Sequence, residues 1–329
     1  MTVPRIVFLR DSFTLLQWPE AVEELSRHGL TPKQTLEAGD EPHVVGVVVG
    51  LGKFGLADAA PFPNLETVAR FGAGADNIAS DDLWGQRRIS SSCTIDLGTR
   101  DVAEFALGMI IAALRGVPRD LAGLRATPSR WRVIDRTPAL RDAVVGIAGA
   151  GHIGLETVRL VAPLTSRVLL WNRTRRDFDL RGVPDDRVEF VSDIMEFARH
   201  ADVISLHVAL GDETLNLIGK KFFETVRASR RSIAIVNTSR GEVVDEAELL
   251  AALNDGTVRD AVLDVWSAEG ARSTPVVDAL RAHPRVLPTS HIGSHTESVL
   301  ERYSMQCVRN VIALVENRPG DVARYVVRG

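Results

Sequence analysis

Residues 144–154 read Val144-Val145-Gly146-Ile147-Ala148-Gly149-Ala150-Gly151-His152-Ile153-Gly154, an apolar run that breaks into spaced glycines and continues in a helical pattern. This pattern predicts a strand, a tight turn and the start of a helix. Gly149 suits the turn, Gly151 lets the backbone approach an anion, and Gly154 lets the helix pack on the strand. Because a helix N-terminus carries free N–H groups, the turn is typical of a site for a dinucleotide pyrophosphate.

A second apolar segment follows the predicted helix at 168–171 and closes a βαβ unit of the length expected for a dinucleotide site. The glycines alone could mark a structural turn, and it is the second strand that favours a ligand. Further apolar segments, separated by helical or loop sequence, lie at 188–191, 202–206, 233–237, 260–265 and 286–287. Since strands and helices alternate, we expect an α/β fold with a doubly wound parallel sheet.

The first hundred residues predict a smaller open α/β unit. Its apolar runs lie at 3–9, 44–49, 65–71 and 88–91, with a helical segment at 20–28. Two of the runs lead into glycine-rich loops, Gly50-Leu51-Gly52-Lys53 and Gly72-Ala73-Gly74-Ala75-Asp76-Asn77. The bare amides of these loops could reach a ligand, or the loops could be simple turns.

Two helical patterns indicate where the chain passes between domains. Asp101, with Glu104 three residues on, predicts the N-cap of a long apolar helix that ends near Arg115. The following segment, 117–141, is rich in Arg and Pro and predicts a surface loop. An amphipathic pattern over 296–317 predicts a C-terminal helix that returns the chain to the first domain.

Composition limits the partner of this chain. Its 329 residues fit two domains, and 39 Lys and Arg against 43 Asp and Glu give a net charge of −4. This charge gives no electrostatic case for nucleic acid or an anionic membrane, so we expect a small-molecule ligand. Two cysteines, Cys93 and Cys307, are too few for a disulfide framework. The apolar stretches are too short for a signal peptide or a membrane span, so we expect a cytoplasmic protein.

Three polar side chains follow predicted strands at the edge where the glycine loop lies. Arg240 follows 233–237, Glu269 follows 260–265 and His291 follows 286–287, and ligands of open parallel sheets bind outside such strand ends. Taken singly, each could be a surface arginine, a solvated carboxylate or a histidine satisfied by backbone. Together they supply a guanidinium for the carboxylate of a 2-oxo acid, a proton donor for its carbonyl oxygen and a carboxylate that keeps this donor charged. Asp245 is the predicted N-cap of the following helix, so Arg240 is not needed as a cap.

The order of these segments resembles that of the D-isomer-specific 2-hydroxyacid dehydrogenases over nearly the whole chain. The resemblance is carried by 149–154, 237–241, Val244-Asp245-Glu246, Leu263-Asp264-Val265 with Glu269, and His291-Ile292-Gly293, and also by Gly74, Asp76-Asn77-Ile78 and Val102-Ala103-Glu104. It implies a homodimer whose subunits have two Rossmann- or flavodoxin-like domains. Residues 1–100 and 296–329 would form a discontinuous substrate domain, and residues 101–295 the dinucleotide-binding domain.

The resemblance also implies a role for each matching residue. Arg240 would bind the substrate carboxylate and carbonyl oxygen, His291 would be the acid/base, and Glu269 would orient His291 and keep it charged. Backbone amides of the first-domain loops would hold the other side of the carboxylate. These are the amides of Gly50, Leu51, Gly52, Ala73 and Gly74. Asp264 would bind the nicotinamide amide. The rest of the cofactor would lie against Gly149, Gly151, His152, Ile153, Gly154, His207, Val208, Thr238 and Gly293.

The loop after 168–171 predicts which dinucleotide binds. A site for NAD places an acidic residue there, whereas this chain has Asn172 followed by Arg173, Thr174, Arg175 and Arg176. Guanidinium and hydroxyl donors suit a 2′-phosphate, so we expect NADP(H) in preference to NAD(H). A solvated basic loop, offset by nearby acidic residues, is the alternative. Within the family such a loop resembles that of glyoxylate and hydroxypyruvate reductases, which favours reduction.

Two other functions stay open. One is NAD-dependent oxidation of a D-2-hydroxy acid, such as a 3-phosphoglycerate-like substrate, and the other is a non-catalytic dinucleotide-sensing corepressor on the same fold. The intact set Arg240, Glu269 and His291 favours an enzyme.

Departures from the family pattern affect the expected substrate pocket. The chain has Ala209, Gly270 and Ser290 where the family commonly carries proline, so these loops are expected to differ in shape. Three cationic residues border the expected pocket, and we expect solvated surface positions for all of them: Lys53, Arg70 and Arg100.

Overall fold

The computed structural model describes residues 4–10, 15–78, 80–87, 90–93, 97–127, 137–174, 178–180, 182–183, 186–267, 269 and 273–322. The chain divides into two compact units, Met1–Leu97 with His295–Gly329, and Gly98–Ser294. Among the described residues, none of the helices combines the length and apolar character that a membrane span requires.

The first unit contains a five-stranded parallel sheet with the order β2-β1-β3-β4-β5. Its strands are β1 (Arg5–Leu9), β2 (Leu30–Lys33), β3 (Val44–Val49), β4 (Thr67–Arg70) and β5 (Ser90–Cys93). The helices that precede the second unit are α1 (Pro19–Arg27), α2 (Leu56–Ala59) and α3 (Ser80–Arg87). β3 is buried along its whole length, as a parallel strand covered on both faces requires.

The second unit contains a seven-stranded parallel sheet with the order β12-β11-β10-β9-β6-β7-β8. Its strands are β6 (Val144–Ala148), β7 (Arg167–Trp171), β8 (Val188–Val191), β9 (Val203–Leu206), β10 (Ile233–Asn237), β11 (Val258–Leu263) and β12 (Val286–Pro288). Its helices are α4 (Thr99–Leu114), α5 (Val117–Ala126), α6 (His152–Val161), α7 (Met195–His200), α8 (Lys220–Ala228), α9 (Glu246–Asn254) and α10 (Pro275–Ala282). The last helix, α11 (Glu297–Val315), belongs to the first unit.

The sheet of the second unit has a separate core on each face. One core joins the sheet to α4 and α6 through side chains such as Ile110, Val158 and Val161. The other joins it to α7–α10 through Phe197, Phe223 and others. The strand order reverses direction between β6 and β9, which confirms the doubly wound sheet and places its switch point beside the glycine turn.

The structure corrects four details of the sequence analysis. α5 lies in the segment expected to be a loop, because Pro118 stands in the first turn, where a helix tolerates proline. α4 begins at Thr99 after Gly98, so Asp101 lies inside the helix and is not its N-cap. β2 was not expected, and Pro32 is compatible with its place at the edge of the sheet. Arg70 is buried, with 6% of its surface exposed.

Candidate active site

The glycine turn after β6 has the geometry that its sequence predicts. Gly149 has a φ of +107°, and a Cβ at this position would lie 2.6 Å from the carbonyl oxygen of His207. A Cβ on Gly154 would overlap the carbonyl oxygen of Gly149, so α6 packs directly on the turn. Gly151 caps α6 and has open space where a side chain would stand. The turn therefore offers an unobstructed helix N-terminus that fits a pyrophosphate.

The loop after β7 is tied to the glycine turn by Asn172. Its Oδ1 accepts a hydrogen bond from the Ala150 amide at 3.1 Å, and its Nδ2 donates to the Thr174 carbonyl at 2.9 Å. Arg173 Nη1 donates to Glu213 Oε2 at 2.6 Å, and both side chains are about two-thirds exposed. The neighbouring Arg175 and Arg176 lie outside the described residues.

Two buried polar atoms in the loops after β9 and β10 have no hydrogen-bond partner among the described residues. They are the Oγ1 of Thr238, after β10, and the Nδ1 of His207, after β9. The other ring nitrogen of His207 lies 2.9 Å from Ser205 Oγ, and burial lowers the pKa of His207 to about 4. A neutral imidazole and a free hydroxyl are groups that a bound dinucleotide would satisfy, so these residues fit such a cofactor.

The loop that carries Arg240 is folded by Asn237, the last residue of β10. Asn237 Oδ1 accepts hydrogen bonds from the amide and hydroxyl of Ser239 at 3.0 and 2.8 Å, and its Nδ2 donates to the Arg240 carbonyl at 2.8 Å. Arg240 Nη1 donates to the Ser239 carbonyl at 2.8 Å. Asp245 caps α9 by accepting from the amides of residues 247 and 248, which confirms the predicted cap.

Asp264, directly after β11, shapes the loop that carries His291. It is almost fully buried, and its carboxylate accepts hydrogen bonds from Thr289 Oγ1 at 2.6 Å and from the amides of Ile292 and Gly293, both at 2.9 Å. Its backbone carbonyl accepts from the His291 amide at 2.7 Å. Sequence reasoning assigned Asp264 to the cofactor and missed this loop-forming role, because the amides that bind it come from residues more than 20 positions away.

His291 and Glu269 form a hydrogen-bonded pair. His291 Nδ1 donates to Glu269 Oε2 at 2.7 Å, and about a fifth of each side chain is exposed. The backbone of His291 is left-handed, with a φ of +58°. Since Nδ1 faces the carboxylate, Nε2 is the ring nitrogen that can exchange a proton with a ligand.

The loops that carry Arg240 and Glu269 touch through their backbones. A Cβ on Gly241 would overlap the carbonyl carbon of Trp266 and the amide nitrogen of Ser267. Since β10, β11 and β12 are parallel neighbours, Arg240, Glu269 and His291 all follow the same edge of the sheet.

In the first unit, Asn77 ties two glycine-rich loops together. Its Nδ2 donates to the carbonyls of Gly50 and Gly52 at 2.9 and 2.8 Å, and its Oδ1 accepts from Arg70 Nε at 3.0 Å. Arg70 also donates to the Phe71 carbonyl. The expectation that Arg70 is a solvated surface residue was therefore wrong, because its guanidinium is buried and donates to the Phe71 carbonyl and to Asn77. Leu51, Ala73 and Lys53 are exposed, and Arg100 is an exposed partner of Glu104 and Glu156.

The fold and this edge of the sheet define an oxidoreductase of the dinucleotide-binding type. Residues 107–293 match the model of the family described as D-isomer specific 2-hydroxyacid dehydrogenase, NAD binding domain. The chain belongs to this family. It is an NAD(P)-dependent enzyme that reduces 2-oxo acids.

One curated relative and two solved structures show what the chain is similar to. A glyoxylate reductase from Thermofilum pendens is 28% identical over 302 residues, which are 91% of this chain and 83% of that protein. The structure of D-lactate dehydrogenase from Aquifex aeolicus, complexed with NAD and lactic acid, has a TM-score of 0.83 at 22% identity and covers 99% of this chain and 100% of that one. An NADPH-dependent glyoxylate/hydroxypyruvate reductase from Sinorhizobium meliloti, in complex with NADP and malonate, has a TM-score of 0.75 at 26% identity over 94% and 93%.

Proposed function

We propose that this enzyme reduces a small 2-oxo acid to the D-2-hydroxy acid with NADPH, and that His291 supplies the proton. The observation that carries the proposal is the 2.7 Å hydrogen bond between His291 Nδ1 and Glu269 Oε2. This bond fixes the imidazole and leaves Nε2 for the substrate. A corepressor that only senses the dinucleotide has no use for such a pair.

Each residue of the set has one task in the proposed reaction. A nicotinamide held at the glycine turn would supply the hydride for the carbonyl carbon. Arg240 binds the substrate carboxylate, and His291 Nε2 donates its proton to the carbonyl oxygen as that oxygen gains charge. The Glu269 carboxylate stabilises the imidazolium before the transfer. His291 ends the reduction neutral and takes a proton from water before the next turnover.

The preference for NADPH is supported by the residues after β7. The residue directly after β7 is Asn172, which has no carboxylate, and the next residue, Arg173, is exposed. An exposed ion pair contributes about 0–1 kcal/mol, so a 2′-phosphate can displace Glu213 from Arg173 at small cost. NAD(H) is the second candidate, and the Glu213 carboxylate favours it because a carboxylate there could accept from ribose hydroxyls.

The first unit is proposed as the substrate domain and the second as the dinucleotide-binding domain. The amides of Gly50, Leu51, Gly52, Ala73 and Gly74 are proposed to bind the substrate carboxylate, and the loop ties through Asn77 support this role because they fix two amide-rich loops together. Asp264 and Gly293 are proposed to contact the nicotinamide, with His152, Ile153, Val208 and Thr174 along the rest of the cofactor.

A homodimer is proposed from the outer face of α5. Val117, Leu121 and Leu124 recur at helical spacing and are 36–40% exposed, which is typical of a face covered by a second subunit. Sedimentation of the parent and of Leu121→Asp tests this proposal. A monomeric parent would contradict it.

A panel of 2-oxo acids tests the proposed reaction. Glyoxylate, hydroxypyruvate, phenylpyruvate and phosphonate-bearing analogues are each offered with NADPH and with NADH, and kcat/KM is measured for every pair. We expect turnover with at least one acid and a higher kcat/KM with NADPH. Binding of NADPH without turnover of any acid would support the sensor, and a higher kcat/KM with NADH would overturn the cofactor preference.

A further inference from the structure

We propose that Trp266 is a positioning residue that sets the Glu269 carboxylate against the His291 imidazole. The proposal rests on the proposed function, in which this pair handles the proton. Trp266 lies directly after Val265, past the end of β11, and is 4% exposed.

The backbone of Trp266 forms hydrogen bonds with both the side chain and the backbone of Glu269. The Trp266 amide donates to Glu269 Oε1 at 3.0 Å, and the Trp266 carbonyl accepts from the Glu269 amide at 3.3 Å. Because Oε1 is bound to this amide, Oε2 is the oxygen that faces His291. The orientation of the carboxylate therefore depends on where the backbone of Trp266 lies.

The indole of Trp266 holds the loop of His291. Its Nε1 donates to the carbonyl of Thr289, two residues before His291, at 3.0 Å. The guanidinium of Arg281, on α10, lies 4.7 Å from the ring centroid and covers one face of the indole by a cation–π contact. One side chain thus links the carboxylate loop to the imidazole loop.

The segment around Trp266 also has contacts with α9 and with the loop of Arg240. Glu246, the first residue of α9, accepts from both the amide and the hydroxyl of Ser267. Gly241, next to Arg240, lies against the backbone of Trp266 and Ser267. Trp266 therefore stands where the loops of the guanidinium, the carboxylate and the imidazole meet.

Replacing Trp266 by Phe tests this role, because Phe keeps an aromatic ring and both backbone hydrogen bonds but deletes the indole N–H. Loss of one such hydrogen bond predicts a fall in kcat of reduction of about 3- to 10-fold. We expect the alkaline decline of kcat to move to lower pH, because a loosened carboxylate stabilises the imidazolium less. The dissociation constant for NADPH should stay unchanged.

Trp18→Phe is the matched control. The indole nitrogen of Trp18 is buried in the first unit and has no hydrogen-bond partner among the described residues, so the same deletion should leave kcat and the pH profile unchanged. If W266F fails to fold, site-specific incorporation of 3-benzothienylalanine, which has the shape of Trp without the N–H, makes the same test.

The outcomes separate this inference from the proposed function. A W266F enzyme with the parent kcat and pH profile, measured beside an inactive His291 variant, overturns the role of Trp266 alone. An active His291 variant overturns the proposed function instead. A lower kcat with a shifted pH profile in W266F, and neither change in W18F, supports the inference.

Discussion

The Nδ1 atom of His291 lies 2.7 Å from Oε2 of Glu269, although the two residues follow different strands, β12 and β11. The pair exists because Asp264 folds one loop and Trp266 folds the other. Both groups are only partly exposed, so their interaction is less screened by water than that of a surface pair.

Replacing His291 by Asn should lower kcat by about 10² to 10⁴, the usual contribution of a general acid. Asn tolerates the left-handed backbone at this position, so the loop should keep its shape. NADPH affinity, measured by fluorescence titration, should change little because the imidazole serves the substrate. A kcat within tenfold of the parent would remove His291 from the mechanism.

Replacing Glu269 by Gln should keep the hydrogen-bonding shape but remove the charge that stabilises the imidazolium. Reduction needs the protonated ring, so activity should fade at lower pH than in the parent. The measurement is kcat for the best 2-oxo acid between pH 5 and 9. Superposable profiles would contradict the pairing.

Substitutions at the ion pair of Arg173 and Glu213 should change cofactor preference in opposite directions. Arg173→Ala should lower kcat/KM for NADPH about tenfold and leave that for NADH nearly unchanged, because only the phosphate ester needs the guanidinium. Glu213→Gln should raise kcat/KM for NADPH by freeing the guanidinium. Equal effects on both cofactors would show that the pair does not contact the adenosine ribose.

Replacing Gly241 by Ala should destabilise the protein by about 1–3 kcal/mol, because the new Cβ would overlap the backbone of Trp266 and Ser267. Gly151→Ala is the control, since open space surrounds Gly151. The urea concentration at which Gly151→Ala unfolds should equal that of the parent protein. Its KM for the dinucleotide should be raised. Equal stability of the two variants would contradict the close contact between the loops.

His207 should make the stability of the second unit depend on pH. Burial lowers its folded-state pKa to about 4 from an ordinary 6.5, so the unfolded chain binds a proton first as pH falls. The free energy of unfolding therefore has its full value above pH 6.5 and decreases as the pH falls towards 4. At pH 4.5 the decrease is about 2 to 3 kcal/mol. Urea unfolding at pH 7 and 4.5 should show a smaller loss for His207→Asn. An equal loss in both proteins would be inconsistent with the buried neutral ring.

Strands and their order along the chain were largely predictable, because continuous runs of β-branched residues between turns permit few alternatives. β3, β8 and β10 have the expected bounds. α5 was missed because the Arg- and Pro-rich composition of 117–141 is typical of a loop, whereas Pro118 stands in the first turn, where a helix tolerates it. β2 was missed because four residues with a proline give too short a pattern.

The candidate residues could be found from strand ends, but their supporting contacts could not. Asn77 and Trp266 act through backbone carbonyls of other loops, and no sequence pattern records where a carbonyl points. The charge of Arg70 suggested solvent, since a lone cation is costly to bury, and only the folded loops show its hydrogen-bond partners.

The strand order of the seven-stranded sheet places two groups of loops on opposite sides of β9. The glycine turn and the loop of Asn172 follow β6 and β7, while the guanidinium, carboxylate and imidazole follow β10, β11 and β12 on the other side of β9. The loop of Asn172, which is proposed to distinguish the two coenzymes, therefore lies on the opposite side of β9 from the proposed acid/base pair. Substitutions in that loop can be combined with substitutions around His291 without changing a loop that both share.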